Sequence, residues 1–349
     1  MKKIKSFLGA YVNFPNAQNI NCDNIARYLD KGIFEVHTMY SDKLPIDKEK
    51  YRKLGVHLHR LIHHRLIWYW CKLFTMLFGN YDIYYLPKME QADRHIARLL
   101  GGKKVMVASV EGVVTERINN SDEFRRYYTE SMTSYFAISN CIAESIKRIW
   151  GQTPTVIPLG GVPSDGQYAS RERIRKIIWI GNIKANKRPL LFIECAKSFQ
   201  KLSFEMIGDG DMMNEVDQMI REYDLSNVKL FGRLPNEQVY DHLFSSDLLL
   251  MTSEYEGLPK VIQEAAVCGV PSIYIGEHYT VDFIESGVNG FKVSSLEEMK
   301  EKIRFLIDTP SEFQTMSKAA NKMIQPYLWP NLIRRYEEYF ISLLRKKTQ

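Results

Sequence analysis

Cysteine is sparse in this chain. The five present (Cys22, Cys71, Cys141, Cys195 and Cys268) are scattered, with no Cys-x-x-Cys pair. That excludes a paired-thiol zinc site and a disulfide frame, and the thiols read as buried side chains in a reducing compartment. A membrane-spanning run is also missing. The longest apolar stretch, Leu66 to Phe78, is broken by Lys72 and is too short to cross a bilayer. Lys2, Lys3 and Lys5 mimic the start of a signal peptide, but the apolar stretch from Phe7 to Val12 is short and has no small-residue cleavage site, so it reads as a first strand. There is no internal repeat and no low-complexity tract. The expectation is a cytoplasmic protein, soluble or peripheral on the inner face of the plasma membrane.

The 349 residues are enough for two domains, and a hydrophobic share of 45% can fill two cores. Charge is uneven. Residues 1–164 carry 23 Lys and Arg against 15 Asp and Glu, and the remainder carries 24 against 26. The basic half should face membrane headgroups, a lipid pyrophosphate or nucleic acid, and no nucleic-acid module is recognisable, so nucleic acid is not expected. Short apolar runs alternate with helical patterns, which argues for parallel sheets with crossover helices. Strands are expected near 4–12, 33–39, 81–86, 104–110, 135–139 and 155–159, then near 176–181, 203–207, 228–231, 248–252, 271–275 and 290–293. The glycines and prolines of 160–166 mark a linker. The reading is an α/β chain of two Rossmann-like domains, 1–165 and 166–330, facing across a cleft that holds the active site, with a terminal helix over 331–349.

The most informative stretch runs from Glu256 to Pro271. Glu256 and Glu264 straddle a helix start, Pro259 suits the first turn, and Gly269 suits the stop. First-turn amides and the positive end of the helix dipole can hold a diphosphate. Glu264 can accept both hydroxyls of a ribose, and Glu256 those of a donor sugar. Residues 253–271, Ser-Glu-Tyr-Glu-Gly-Leu-Pro through Gly-Val-Pro, resemble the signature of the retaining GT-B glycosyltransferases of family 4, the glycosyl transferases group 1. The resemblance runs through most of 175–345 and is faint in 1–165, where the family's acceptor domain varies. It implies a terminal helix packed back on the first domain. It also implies a diphosphate held by Lys187 and the amides of Gly257, Leu258 and Lys260.

Several family positions differ. In Gly181-Asn182-Ile183-Lys184-Ala185-Asn186-Lys187-Arg188, Lys187 matches the family lysine. Asn182 stands where an arginine is usual, so either Lys184 or Arg188 is left to supply the second positive charge. Ala17-Gln18 replaces a common Gly-Gly, and Glu111 replaces a common histidine at the end of a strand, where it can bind an acceptor hydroxyl or act as a base. Arg233 and Leu234 lie in a loop whose backbone contacts the nucleotide base in the family; Arg233 either stacks on the base or is solvated. Asp209 and Asp211 form an Asp-x-Asp, the metal signature of the unrelated GT-A enzymes. Inside a Gly-x-Gly turn they read instead as a turn with a helix cap, and no metal or other cofactor is expected. From Lys48 to Phe78 the chain is basic, then aromatic, which suits a helix lying in a membrane interface. His57, His59, His63 and His64 lack acidic or thiol companions there, so a metal site is not expected.

The resemblance implies a retaining glycosyltransferase that moves a sugar from a UDP- or GDP-sugar to a glycan or polyprenyl-linked acceptor in bacterial surface polysaccharide biosynthesis. Two alternatives stay open: a sugar-nucleotide epimerase of the same fold, and a non-catalytic partner subunit.

Overall fold

The computed structural model describes residues 2–348 apart from 15, 65–66, 164–167, 169–170, 255, 257 and 277–280. It divides into two compact units, Met1–Gly160 with Trp329–Gln349, and Gly161–Leu328. Residues 164–166 of the expected linker lie outside those described.

The first unit runs β1 (Ile4–Tyr11), α1 (Ala17–Tyr28), β2 (Phe34–Ser41), α2 (Lys48–Lys53), β3 (Val56–Leu61), α3 (Trp68–Phe78), β4 (Ile83–Tyr85), α4 (Gln91–Leu100), β5 (Val105–Val110), α5 (Asp122–Arg126), a π-turn (Tyr127–Ser131), β6 (Ser134–Ala137), α6 (Asn140–Trp150) and β7 (Thr155–Val156). The strands form one parallel sheet in the order β3-β2-β1-β4-β5-β6-β7. Its central strands are buried on both faces, as helices on either side require, and β5 (Val-Met-Val-Ala-Ser-Val) is buried throughout. The terminal helix, Trp329–Thr348, belongs to this unit. Trp329, Tyr336 and Phe340 are buried, and the Tyr336 hydroxyl donates to the Pro158 carbonyl at 2.9 Å.

One expectation fails here. Residues 48–78 are not a single basic and aromatic helix but a helix, a strand and a second helix. Gly55, with φ +68, turns the chain out of α2 into β3, which pairs with β2 at the sheet edge. The register sets His57 beside His37 and His59 beside Met39. His37 Nε2 lies 2.8 Å from Glu35 Oε1, its Nδ1 lies 3.0 Å from His59 Nε2, and its ring stacks on His57 at 4.6 Å. The neighbouring strand thus supplies the carboxylate that the local sequence lacks, and the ligand atoms of Glu35, His37 and His57 all lie within 4.8 Å of one another.

Burial drives His37 down to about 4, helped by His57 and His59 and opposed by Glu35. The unfolded chain binds a proton near pH 6.5, while the native state stays neutral to a lower pH. Stability that is full above pH 6.5 is therefore lost as pH falls toward 4, by about 2 kcal/mol after solvent screening. Urea unfolding at pH 7 and pH 4.5 should show this loss in the native chain and a smaller one in His37→Gln.

The second unit runs β8 (Lys176–Ile180), a 3-10 turn (Ala185–Lys187), α7 (Pro189–Ser198), β9 (Ser203–Ile207), α8 (Met213–Glu222), β10 (Val228–Leu230), α9 (Asn236–Ser245), β11 (Leu248–Met251), α10 (Lys260–Val267), β12 (Ser272–Ile275), β13 (Gly290–Val293), α11 (Leu296–Asp308) and α12 (Pro310–Ile324). Its parallel sheet has the order β10-β9-β8-β11-β12-β13. On one face Phe204 and Leu248 share a core with Phe192 of α7 and Phe313 of α12, and on the other Ile178, Leu249 and Tyr274 share one with Ile262 of α10.

Candidate donor-binding site

In the second sheet β8 and β11 are neighbours, yet the chain leaves them toward opposite edges. This is a topological switch point, where the loops beyond the strands part and leave a crevice at their carboxyl ends. The loop after β8 carries Lys187 and the loop after β11 carries Glu256.

Backbone and side-chain bonds tie the two loops together. Thr252 Oγ1 accepts from Trp179 Nε1 at 2.9 Å and donates to the Lys187 carbonyl at 2.6 Å. The Glu254 amide donates to the Asn186 carbonyl at 2.9 Å. Gly208, φ +148, passes so close to the Gly181 carbonyl that a Cβ would lie 1.8 Å from its oxygen, so only glycine fits there. On this frame the Lys187 ammonium donates to the Glu256 carboxylate, both side chains being mostly buried.

The other expected residues divide. Arg188 takes a left-handed backbone at φ 46 and gives Nε to the Thr252 carbonyl at 2.7 Å and Nη2 to the carbonyls of Ser253 and Ile275. Its guanidinium braces the ends of β11 and β12, whereas Lys184, the other residue expected as a second diphosphate cation, is exposed with no described partner. Asn182 is exposed, and its carbonyl accepts the Lys184 amide at 2.9 Å.

Helix α10 begins at Lys260 with Pro259 as its uncapped N-cap residue, one position earlier than the first-turn placement expected of that proline. Leu258 is half-buried beside it, and Gly257 lies outside the described residues. Glu264 sits little more than one turn into the helix. Burial raises its pKa, Lys260 opposes the shift, and no described residue donates a hydrogen bond to its carboxylate. At the far end Gly269, φ +69, closes the helix, with its own amide on the Ala266 carbonyl and the Val270 amide on that of Ala265.

Gly232 accepts the Gly208 amide at 2.8 Å, which leaves Arg233 exposed while Leu234 packs on the core. The expected helix cap at Asp209 and Asp211 is absent. The N-cap of α8 is Met212 without a side-chain bond, because the Asp209 carboxylate takes the amide of Gly210 at 2.8 Å instead.

Glu111 belongs to the first unit. Both its oxygens are engaged, one by Ser109 Oγ at 2.9 Å and the other by Asn21 Nδ2 at 3.1 Å. The sequence reading missed a second cluster there, in which Lys72 contacts Glu90 and Asp93 at 2.7 Å each. No helix among the described residues is long and apolar enough to cross a membrane.

This geometry can be set beside known proteins. Residues 164–323 match the family model described as glycosyl transferases group 1. The second unit is thus similar over nearly its whole length to a group 1 glycosyltransferase domain. A putative teichuronic acid biosynthesis glycosyltransferase of Bacillus subtilis is 28% identical over 158 residues, 41% of this chain and 38% of that protein. An Escherichia coli UDP-Gal:alpha-D-GlcNAc-diphosphoundecaprenol alpha-1,3-galactosyltransferase is 25% identical over 178 residues, 48% of this chain and 46% of that one. The chain thus spans less than half the length of these curated relatives. The solved structure of HepE from Anabaena in complex with UDP superposes with a TM-score of 0.76 at 16% identity, over 97% of this chain and all of that one. The two Rossmann-like units are of the GT-B fold, and the unit that matches the group 1 model is the one that carries Lys187, Glu256 and Glu264.

Proposed function

We propose that the chain is a retaining glycosyltransferase of family 4 that transfers a sugar from a UDP- or GDP-sugar to a hydroxyl of a lipid-linked glycan in bacterial surface polysaccharide assembly. The observation that carries this reading is the Lys187–Glu256 pair at the switch point of the second sheet, with Glu264 on the adjoining helix, whose carboxylate takes a hydrogen bond from no described residue. Similar proteins agree in kind: the Anabaena protein was solved with UDP and with UDP-glucose, and the E. coli relative is a galactosyltransferase named for a diphosphoundecaprenol-linked sugar.

In the proposed reaction the bond from the sugar C1 to the diphosphate oxygen breaks on the face where the acceptor oxygen attacks. The acceptor's proton passes to the departing phosphate, and the configuration at C1 is kept. Lys187 and the amides of Leu258 and Lys260 neutralise charge on the diphosphate as it leaves, without a metal ion. Glu264 accepts the ribose hydroxyls. Glu256 accepts hydroxyls of the donor sugar and orients Lys187. Glu111 binds an acceptor hydroxyl.

Thermal unfolding with UDP-, GDP- and ADP-sugars, with EDTA and then with Mg²⁺, tests the donor site, since a ligand of the native state raises its melting temperature. Stabilisation by one nucleotide series in EDTA is expected; no shift with any of them would sink the reading. Glu264→Gln should keep the fold and weaken donor binding by about 10- to 100-fold in titration calorimetry, the loss expected of charge-assisted bonds to a diol.

Membrane contact is the second part of the proposal. On α3, Trp70, Phe74 and Phe78 stack in a row with exposures of 50%, 46% and 77%. Such a stripe on a basic unit suits the interface of an anionic bilayer. The chain should co-sediment with phosphatidylglycerol vesicles, and Trp70→Ser with Phe78→Ser should release it.

A further inference from the structure

The first sheet has its own switch point, between β1 and β4. A pocket of 530 Å³ opens there, built within the first unit alone. Tyr11 and Phe14 line it from the end of β1, Lys43 from beyond β2, Trp68 from the start of α3, and Lys88 and Glu90 from beyond β4.

The lysines around this pocket are not equivalent. Lys72, beneath it, is fully buried and places its ammonium against the Gly9 carbonyl at 2.8 Å, Glu90 at 2.7 Å and Asp93 at 2.7 Å. Two hydrogen bonds and the ion pair to Asp93 enclose an ammonium with no exposed surface, so it is closed to a ligand. Lys88 is 12% exposed and holds one long bond, 3.3 Å to Asn19 Oδ1. It stands 3.5 Å from Glu90 and 4.5 Å over the Tyr11 ring. Lys43 is exposed and its ammonium has no described partner. Glu90 is already matched by Lys72 and by the Tyr11 hydroxyl. The pocket therefore presents two under-coordinated cations beside an aromatic wall of Tyr11, Phe14 and Trp68. That wall leads along α3 to the exposed Trp70.

We propose that this pocket binds a diphosphate joined to an isoprenoid chain, the carrier end of a lipid-linked acceptor. The proposal rests on the glycosyltransferase reading for its biological sense but not for its chemistry. Lys43 and Lys88 take the diphosphate, with charge-assisted bonds from an ammonium without a described partner and from one that holds only a long bond and a loose ion pair. The first isoprene units lie against Phe14 and Trp68, where burial of apolar surface holds them.

Titration calorimetry with farnesyl diphosphate, inorganic pyrophosphate and farnesol tests it. Farnesyl diphosphate should bind saturably and more tightly than either fragment. The double variant Lys43→Gln, Lys88→Gln should lose about tenfold or more in affinity while keeping the native response to nucleotide sugars. Trp68→Ala should weaken farnesyl diphosphate and leave pyrophosphate unchanged. Equal binding of farnesol, an unaffected double variant, or a loss seen only in Trp70→Ser with Phe78→Ser would overturn the assignment. Lysine-dependent farnesyl diphosphate binding in a chain that ignores every nucleotide sugar would remove the glycosyltransferase reading and leave the pocket standing. The reverse result would do the opposite.

Discussion

Lys187→Ala is expected to lower kcat for sugar transfer by about 10²–10³-fold, the range found when one preorganised donor is removed from a site of developing negative charge. In the proposed reaction charge grows on the diphosphate as its bond to the sugar breaks, and Lys187 is the cation proposed to answer it. Its partner Glu256 keeps the ammonium aimed, and the tie between Thr252 Oγ1 and the Lys187 carbonyl keeps the backbone in place whatever the side chain. The fold should therefore survive the change. A steady-state assay separating kcat from KM decides the matter. A large fall in kcat with a modest change in KM is expected, because a charge present mainly in the transition state is what the lysine answers. A change in kcat of less than about threefold would remove Lys187 from the mechanism.

Lys72→Met should destabilise the first unit by about 3–5 kcal/mol, the cost of stranding buried opposite charges. Burial by itself would push the Lys72 pKa down, but Asp93, Tyr11 and Glu90 outweigh it and hold the ammonium charged, with the pKa raised. Burial likewise drives Asp93 up, to about 6, against the pull of Lys72. Methionine fills a similar volume but leaves the fully buried Asp93 and the mostly buried Glu90 without their shared cation. Urea denaturation should show a lower midpoint with little change in slope. Adding Glu90→Gln and Asp93→Asn should restore much of the loss, since the penalty lies in the unmatched charges and not in the missing side chain. A single variant as stable as the native chain would mean that water reaches the cluster.

What the sequence disclosed and what it concealed follow from how local each feature is. The strands of the second unit are short β-branched and aliphatic runs cut off by glycine and proline, so their positions could be read directly. The helix from Lys260 to Val267 and its stop at Gly269 were legible for the same reason. Strand β3 was not, because Val-His-Leu-His-Arg-Leu at a sheet edge lacks a clean alternation of polar and apolar residues. Lys72 looked like one more member of a basic surface. Its partners Glu90 and Asp93 flank and enter a different helix, and nothing near position 72 announces them. Glu35 reaches the histidines only through strand register. Lys187 and Arg188 are adjacent and alike in charge. The left-handed backbone at Arg188 turns one cation onto carbonyls while the other meets Glu256, and a dihedral angle leaves no trace in residue identity.

The bracing by Arg188 also bears on how this loop could be redesigned. Of its polar positions, Asn182 and Lys184 point outward with no described side-chain partner, whereas Lys187 and Arg188 are each tied to another segment. A library confined to 182 and 184 would vary the electrostatics around the proposed donor site while leaving the bonds of Lys187 and Arg188 untouched. Asn182→Arg is its natural first member, because it restores the charge usual at that position in the resembling family and asks nothing new of the backbone.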